Sequence, residues 1–429
     1  MANQKLSATV DELMLNALQE GGDPAKTGRF LMTYKEGASE AGLQSLKSEH
    51  GFRVASANDF TGQAVSFEAV GDADALVFPE IGVALISAQA AKTRNLTAEA
   101  MIAGDSPLSS IDPEYFMFAT QISTADYLKG VMHTAQSIYA DLGIQEPEVE
   151  DGVSAEVFGV TGGLNVCRVP PSHYDGTGIK VAVLDTGFDL GLPEFAGRSF
   201  VTNSFVGQPV QDLHGHGTHT TGTACGPLAP AGLIPRYGIG GRANIFTGKV
   251  LTNSGTGTQA QVLSGMNWAI ANRCEVISMS LGAQIPVQPA YTAAGAAALR
   301  AGCLIIAAAG NGSNRPAFIA PAGAPANSPS IVSVAALDGL LHVAPFSSGG
   351  KVDIAAPGVS VFSSWPRPTL HNTISGTSMA TPHVAGCAAL WAQSSPAYRG
   401  ATLRARLIAT ARHLPYPASD AGAGLVQSP

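Results

Sequence analysis

Three segments of the chain place residues with acid, base and nucleophile chemistry next to apolar runs. Asp185 ends the run KVAVLD, His216 lies in HGHGTHTTGTACG (214–226), and Ser378 lies in SGTSMATPHVAG (375–386). Each has an ordinary structural interpretation alone, because Asp, Ser and Thr often only cap a helix or close a turn. Together they form the set that nucleophilic hydrolysis requires. A serine hydroxyl needs a base to accept its proton, and the imidazole base needs a carboxylate to fix its tautomer.

The residues after Ser378 favour a helix that begins at this serine. Their apolar members have helical spacing: Met379, Val384, Cys387, Ala388, Leu390 and Trp391. The hydroxyl would then lie at a helix N-terminus, where the helix dipole favours the negative charge that develops during acyl transfer.

Two other chemistries are compatible with parts of this pattern. His214, His216 and His219 have a spacing that zinc ligands can have, but we expect no neighbouring acid to complete such a site. The tripeptide DTG at 185–187 could be half of an aspartic-protease pair in a homodimer. The chain has no second DTG, and this alternative leaves HGTH, AAAGN and GTSMA without a role.

After about residue 157, apolar runs alternate with helical patterns. Continuous apolar strands separated by helices predict a parallel sheet that helices cover on both faces. In such sheets the functional residues gather at the carboxyl ends of the strands. The predicted strands are KVAVLD (180–185), ANIFTGKVL (243–251), EVISMSLG (275–282), CLIIAAAGN (303–311) and SIVSVAAL (330–337), and helices are predicted at 257–272 and 289–301.

The first part of the chain has a different pattern. Residues 1–27 indicate a polar tail with a short helix at 9–19, and residues 28–122 indicate a small α+β unit. Its strands are expected at 29–35, 52–56, 64–70, 75–87 and 113–119, and its helices at 38–51 and 89–101. Residues 123–157 follow as an amphipathic helix (124–142) and an acidic linker that begins at 144.

Composition and charge exclude several classes of protein. The 429 residues are 45% apolar and only 13% charged, which argues against a disordered chain, and the 49 glycines follow no collagen period. The net charge of −8 is uneven, because residues 1–150 carry 21 acidic and 9 basic side chains, and residues 151–429 carry 11 and 15. No basic cluster forms, so we expect no nucleic-acid partner.

The chain is also expected to act without a membrane. The uncharged run 276–299 is long enough to span a bilayer, but two prolines and two glutamines interrupt it. No signal-peptide pattern precedes the first unit, and the five cysteines are odd in number and lack CxxC spacing. These features predict a cytoplasmic, reducing compartment without a disulfide framework, with unconventional export as the alternative.

The motifs resemble those of the subtilisin-like serine proteases (subtilases). DTG (185–187), HGTH (216–219) and GTSMA (376–380) are similar to the three family signatures, in the subtilisin order Asp, His, Ser. GKVLTNSGTGT, SMSLG, AAAGN and GAGLVQ resemble further family segments, so that the resemblance covers residues 160–428. It implies a subtilisin-like α/β catalytic domain over 158–429 that hydrolyses peptide bonds in protein or peptide substrates through an acyl-enzyme.

The resemblance implies a role for each matching residue. Ser378 would be the nucleophile, His216 the general base and acid, and Asp185 the residue that orients His216. Asn311 would donate to the oxyanion together with the backbone N–H of Ser378. Substrate backbone would pair with Gly255, Thr256 and Gly257 on one side and with Ser280, Leu281 and Gly282 on the other, and Gly323 would lie at the floor of the primary pocket.

Two further expectations follow from the resemblance. The segment around Gly323 contains no acid, so a large apolar or aromatic residue before the cut is favoured over Lys or Arg. Only the HGT histidine is catalytic in the family, so His214, His219 and His383 are expected to be structural.

Calcium is where the resemblance weakens. Many subtilases carry a calcium loop after the histidine motif, but residues 226–241 contain no Asn, Asp or Glu. Glu194 is one potential ligand, and backbone carbonyls could serve as others. We expect no required cofactor, with a calcium site as the alternative.

The first unit resembles a subtilase propeptide in pattern and position. Family propeptides have a ferredoxin-like α+β form, assist folding and inhibit the enzyme. Residues 28–122 would then be an intramolecular inhibitor, and the chain a self-inhibited precursor. The alternatives are an unrelated accessory domain and a latent protease whose first unit stays docked while it matures one dedicated intracellular substrate.

Overall fold

The structure, a computed structural model, describes residues 5–19, 23–48, 51–93, 106–119 and 159–429. The helix predicted at 124–142 and the linker predicted from 144 lie outside these ranges, as does most of the helix predicted at 89–101. The domain boundaries proposed between 119 and 159 therefore stay predictions.

The first unit is a small α+β structure. Its elements are α1 (Val10–Gln19), β1 (Lys26–Tyr34), α2 (Ser39–Ser48), β2 (Val54–Ser56), β3 (Ala75–Phe78), β4 (Val83–Ile86), α3 (Ala88–Thr93) and β5 (Leu108–Phe118). Strands β3, β4, β1 and β5 lie side by side in that order and are antiparallel throughout, with β2 parallel to β3 at the edge. This arrangement is compatible with the ferredoxin-like form expected for residues 28–122.

The segment 64–70 is not the strand that its alternating residues predict. It is irregular and ends in a short 3₁₀ turn over Glu68–Val70. Val65, Phe67 and Val70 are all buried in one apolar cluster that also contains residues of the larger unit. The alternation therefore reflects packing against the larger unit, without a neighbouring strand.

The larger unit contains the remaining elements. Its strands are β6 (Lys180–Asp185), β7 (Phe200–Ser204), β8 (Asn244–Lys249), β9 (Thr256–Thr258), β10 (Val276–Met279), β11 (Leu304–Ala308), β12 (Val332–Leu337), β13 (Ile354–Pro357), β14 (Val361–Ser364) and β15 (His371–Ile374). Its helices are α4 (Gly162–Val166), α5 (His216–Cys225), α6 (Gln259–Ala271), α7 (Pro289–Arg300), α8 (Thr377–Ser394), α9 (Gly400–Thr410) and α10 (Ala418–Ala421).

Seven of these strands form one parallel sheet, in the order β13-β12-β11-β10-β6-β8-β7. Alternate residues of β6 enter different cores, because Ala182 and Leu184 cluster with α6 whereas Val181 and Val183 cluster with α8. Burial on both faces explains why this strand is a continuous apolar run. The predicted parallel sheet flanked by helices is confirmed.

Strand β5 joins the two units. It pairs with β1 along its length, and its last residues pair antiparallel with β9 of the larger unit. Phe118 also forms a bridge with Gly282 after β10. The end of β5 therefore lies between two segments of the larger unit.

Helix α1 covers the outer side of this junction. Val10 and Leu13 are buried in one cluster with Phe116 of β5, and Met14 and Phe118 pack against that cluster. The short helix predicted at 9–19 is confirmed, and its apolar side gives this end of the chain a packing role.

The five cysteines are all buried and free. Burial raises the pKa of Cys225 and of Cys274 to about 12, so both thiols stay protonated. None of the helices within the described ranges is long and apolar enough to cross a membrane.

Candidate active site

Asp185 lies at the carboxyl end of β6, where its side chain is fully buried. Its Oδ1 lies 2.8 Å from Nδ1 of His216 and also accepts a hydrogen bond of 2.7 Å from the backbone N–H of Thr186. Its Oδ2 accepts a longer bond, of 3.3 Å, from the hydroxyl of Thr220 in α5. These bonds fix the carboxylate, which in turn fixes Nδ1 as the protonated nitrogen of the imidazole.

His216 is the first residue of α5. The preceding Gly215 has a φ of 100° and lies so close to Trp365 that a Cβ atom at this position would be 2.3 Å from the indole ring. Only glycine allows the chain to turn into the helix here. This turn directs the His216 imidazole toward Asp185.

Charge and burial act in opposite directions on His216. Burial disfavours the imidazolium, but the carboxylates of Asp185 and Asp212 outweigh burial and raise the pKa of His216 above its usual value. Nε2 of His216 is buried and has no hydrogen-bond partner among the described residues. It is therefore the ring atom that remains available to a proton.

Ser378 lies in the first turn of α8, as the apolar spacing predicts, and is 3% exposed. Its hydroxyl donates to the carbonyl oxygen of Ala119 at 3.2 Å and to that of Ser280 at 3.1 Å. Ala119 immediately follows β5. The hydroxyl thus contacts a peptide carbonyl of the chain's own first unit.

Asn311 lies beside the serine through its neighbour Thr377. The Oδ1 atom of Asn311 accepts bonds from the backbone N–H and the hydroxyl of Thr377, both of 2.9 Å. Because Oδ1 is held in this way, Nδ2 is the atom of the amide that can donate to a ligand near Ser378.

Two segments predicted to bind substrate backbone enclose the end of β5. On one side Met117 pairs with Gly257 and Phe118 with Thr256, and the N–H of Ala119 donates to Gly255 O at 2.8 Å. On the other side Phe118 and Gly282 exchange hydrogen bonds of 3.1 and 2.9 Å. The cleft between these two segments is therefore filled by residues 116–119.

The side chains of this strand alternate in what they contact. Met117 and Ala119 are buried in the cluster that contains Leu251 and Leu281 of the larger unit. Phe116 and Phe118 instead pack with α1. The cleft therefore receives every second side chain.

The other predicted positions lie near the same cleft. Leu281 is buried, and Ser280 donates its hydroxyl to the carbonyl of Ser378 at 2.6 Å. Gly323 is buried, and its N–H donates to Ala309 O at 3.0 Å. None of these hydrogen bonds joins Gly323 to a described residue of β5. The assignment of Gly323 to the pocket floor therefore stays a prediction.

His219 and His383 have the contacts of structural histidines. His219 Nε2 lies 2.9 Å from Val361 O, and His383 Nδ1 lies 2.9 Å from Met379 O. Burial lowers the pKa of His219 to about 3 and that of His383 to about 4. Both are therefore neutral at pH 7.

An acid does lie next to the histidine cluster, contrary to the expectation from the sequence. Asp212 is fully buried, but its oxygens accept bonds from backbone N–H groups and hydroxyls of this loop. Within the described ranges, no group of three or more His, Cys, Asp or Glu side chains could hold a metal ion. Glu194 lies 3.2 Å from His371, and in the described part of the chain the two belong to no larger group of His, Cys, Asp or Glu side chains, so the calcium alternative stays a prediction.

Asp212 and Lys249 were missed in the sequence. Lys249 ends β8 and pairs in register with Asp185, and its side chain is fully buried. A lysine as the one charged residue of the predicted strand ANIFTGKVL was the signal that could have identified it, because lysine is almost never fully buried without a partner.

Comparisons with known proteins find similarity within the larger unit. The Subtilase family profile matches residues 176–425. Subtilisin E of Bacillus subtilis (strain 168) is 37% identical over 259 residues, which are 59% of this chain and 66% of that protein, slightly less than two thirds of its length. The Subtilisin of Bacillus pumilus is also 37% identical over 259 residues and is covered to 91%. A solved structure, a cold adapted subtilisin-like serine proteinase, has a TM-score of 0.52 and 34% identity, with 60% of this chain and 91% of that chain covered.

Proposed function

This chain belongs to the subtilase family, and on that premise we propose that it is a serine endopeptidase made as a self-inhibited precursor. One observation carries the proposal. The carbonyl oxygen of Ala119 lies 3.2 Å from Oγ of Ser378, at the end of a strand that runs through the cleft as a substrate would. A peptide carbonyl held beside the hydroxyl of a serine at a helix N-terminus is an arrangement from which acyl transfer can start.

In the proposed reaction, Ser378 Oγ attacks a substrate carbonyl while Nε2 of His216 takes the hydroxyl proton. Among the described residues no hydrogen bond joins Ser378 Oγ to His216 Nε2, so the hydroxyl must first turn from its present acceptors toward Nε2. Asp185, at 2.8 Å from Nδ1, stabilises the imidazolium that forms. His216 then returns the proton to the leaving amine, and water repeats the sequence to release the acyl group.

The oxyanion of the intermediate would be bound by Asn311 Nδ2 and the backbone N–H of Ser378. Both donors are held before reaction, the first by the Asn311–Thr377 bonds of 2.9 Å and the second by the start of α8. Donors that need no reorientation stabilise the transition state more than water does. This pair of donors favours acyl transfer over simple binding.

We propose protein or peptide substrates, recognised mainly through backbone pairing at Gly255–Gly257 and Ser280–Gly282. Added-strand hydrogen bonds tolerate many sequences. The present occupant of this site, residues 116–119, belongs to the first unit, which supports the interpretation of that unit as an intramolecular inhibitor.

A second candidate is a latent protease whose first unit stays docked while it acts on one dedicated substrate. It is favoured by the continuity of β1, β5 and β9 in one sheet and by a fully buried ion pair at the junction. Such an interface resists spontaneous release. Two separated fragments after purification would favour the self-processing precursor, and a single persistent chain the latent form.

The test uses the full chain and its Ser378→Ala variant. After incubation with a peptide library made from a proteome, we expect new termini with wild type and none with the variant, as well as labelling of wild type by a sulfonyl fluoride. Equal cleavage by both proteins would overturn the assignment of Ser378. Cleavage by wild type that pepstatin stops, and sulfonyl fluoride does not, would overturn the serine-protease proposal.

A further inference from the structure

Asp212 connects the two segments that carry Asp185 and His216. Its Oδ1 accepts bonds from the Thr186 hydroxyl at 3.0 Å and from the N–H of Gly215 at 2.9 Å. Oδ1 also accepts the N–H of His214 at 3.0 Å, and Oδ2 accepts the N–H and hydroxyl of Thr218 at 2.9 and 2.8 Å. One buried carboxylate thus holds the residue after Asp185 and both ends of the turn that begins α5.

The Thr186 hydroxyl closes this connection. It donates to Asp212 and accepts the N–H of Gly217 at 2.8 Å. Thr186 follows Asp185 and Gly217 follows His216, so both members of the pair are held from their next residue. A change in this link would alter the separation and orientation of Asp185 and His216.

Lys249 approaches the same segment from β8. Its ammonium group donates to the carbonyl oxygen of Thr186 and to Oδ1 of Asn253, the second at 2.8 Å. The residue is fully buried, and the carboxylates of Asp212 and Asp185 are the charges that act on it. The proposed chemical steps do not use this cation.

We propose that Asp212 and Lys249 are positioning residues that hold the Asp185–His216 pair and set the balance of charge around its imidazole. This inference rests on the proposed hydrolysis for its kinetic readout only. The hydrogen bonds that carry it exist without the reaction.

The charged and titratable groups that face His216, or that face the carboxylates beside it as Lys249 does, come from several elements. Asp185 ends β6, Asp212 and His214 precede α5, His219 lies one turn further along α5, and Lys249 ends β8. Burial and the charge of His216 lower the pKa of His214, and His219 is neutral at pH 7. Two carboxylates and one ammonium therefore determine the local charge.

These groups act on His216 in opposite directions. Asp212 favours the imidazolium, so its neutralisation should lower the pKa of His216. Lys249 disfavours the imidazolium, so its neutralisation should raise that pKa. Burial lowers the pKa of Lys249 itself to about 8, against the pull of the two carboxylates, so the ammonium is mostly charged where the acid limb of activity lies.

The experiment starts from full-length wild type, Asp212→Asn and Lys249→Met, lets each activate, and then measures the pH dependence of kcat/KM with a short peptide substrate. We expect the acid-limb pKa to fall by roughly half to one unit for Asp212→Asn and to rise by a similar amount for Lys249→Met. We expect kcat/KM at its plateau to fall about 10-fold or more in both. Lys249→Arg, which keeps the charge, should restore the wild-type acid limb.

Thr186→Val is the matched control, because it breaks the link to Asp212 and Gly217 and changes no charge. It should lower kcat, and because a longer Asp185–His216 separation can only lower the acid-limb pKa, it should not reproduce the rise expected for Lys249→Met. Shifts of the same sign in Asp212→Asn and Lys249→Met, or an unchanged limb in both, would overturn the proposal. If Asp212→Asn fails to fold, a raised acid-limb pKa in Lys249→Met that Thr186→Val does not show supports the proposal, and the absence of that rise overturns it.

A second readout does not need activity. In Ser378→Ala with labelled histidine, NMR titration of the His216 imidazole should show the same two shifts of opposite sign. Opposed shifts in a protein whose wild-type form cleaves no peptide would support the positioning role and reject the proposed function. Peptide cleavage by wild type, with no shift of the His216 pKa in either variant, would support the proposed function and reject the positioning role.

Discussion

Arg29 and Glu114 form an ion pair that is buried at the junction of the two units, with Nε of Arg29 2.6 Å from Oε2 of Glu114 and both side chains at most 1% exposed. Each partner also reaches the larger unit. Glu114 Oε1 accepts the backbone N–H of Ala260 at 3.0 Å, at the start of α6, and Arg29 Nη2 donates to the Thr258 hydroxyl at 3.2 Å. The hydrogen-bonding groups of this buried pair are therefore satisfied partly by the larger unit, on the surface that the first unit covers.

Glu114→Gln should accelerate activation of the full chain. It leaves the Arg29 guanidinium buried without its counter-ion, a loss of about 3–5 kcal/mol when such a pair is broken on one side. We expect active enzyme to appear at least 10-fold faster in a time course with a peptide substrate.

The control for this prediction is Arg53→Gln. It breaks an ion pair of the same unit, Arg53–Asp74, in which Arg53 is 65% exposed. Exposed ion pairs contribute little to stability because water screens them. Equal acceleration by both variants would show that general loosening of the first unit, and not the buried pair, controls activation.

Asn311→Ala should lower kcat far more than it changes KM. The oxyanion exists only after attack, so the lost bond stabilises the transition state and not bound substrate, and such donors contribute about 10²–10³ in kcat. Steady-state kinetics on a short peptide measures both constants.

Thr377→Val provides the comparison for Asn311. It removes the hydroxyl bond to Asn311 Oδ1 and keeps the backbone N–H bond. We expect a smaller loss, again in kcat. A main effect of Asn311→Ala on KM would argue against its role as a donor to the oxyanion.

The first cut in the chain should fall close to Ala119. Sequence reasoning allows any site from 119 to 160 and favours the acidic stretch 144–157 by its exposure, a preference that stays untested. The contact of Ala119 O with Ser378 favours a first cut within two residues after Ala119, with trimming at 144–157 to follow. Mass spectrometry of a time course distinguishes the order, and a first product that ends beyond residue 121 would contradict it.

Acid should destabilise the folded chain through His219 and His383. Their pKa values in the fold, about 3 and about 4, lie below the ordinary 6.5. The unfolded chain therefore binds more protons than the folded chain as pH falls from about 6.5 to 4. The free energy of unfolding falls in that window by up to about 1.4 kcal/mol per pH unit for each histidine.

The measurement is the urea midpoint of full-length Ser378→Ala from pH 7 to pH 4, since this variant should not digest itself. Adding His383→Gln should flatten the profile, whereas His413→Gln, at an exposed histidine, should leave it unchanged. A profile that His383→Gln does not alter would show that other groups cause the acid sensitivity.

Helix α1 should slow release of the first unit. Leu13 is fully buried against Phe116, whereas Leu15 on the same helix is 56% exposed. Leu13→Ala should cost about 2–5 kcal/mol of packing and accelerate activation, and Leu15→Ala should do neither. The kcat/KM of the processed enzyme should be equal in both, and unequal values would place α1 in substrate turnover.

The sequence predicts the parts of this structure that local pattern specifies. Asp185, His216 and Ser378 lie at element boundaries with motif residues around them, and the continuous apolar strand ending at Asp185 requires a sheet covered on both faces. Residues 64–70 were assigned wrongly because their alternation satisfies packing against another unit, which a single segment does not reveal. Asp212 and Lys249 were missed for a related reason: their role depends on tertiary hydrogen bonds with residues such as Thr186, whose hydroxyl donates to Asp212 and whose carbonyl oxygen accepts from Lys249.

The alternation of side chains along the end of β5 has a consequence for how this protein can evolve. Met117 and Ala119 pack in the cleft, whereas Phe116 and Phe118 pack with α1. The two pairs lie on opposite faces of one strand. Substitutions at 117 and 119 could therefore change which side chains the cleft accepts without disturbing the packing of α1, and substitutions at 116 and 118 could change the packing of α1 without altering the cleft. Evolution could then adjust the substrate specificity of the cleft and the strength of inhibition by the first unit independently, although the residues concerned are neighbours in the sequence.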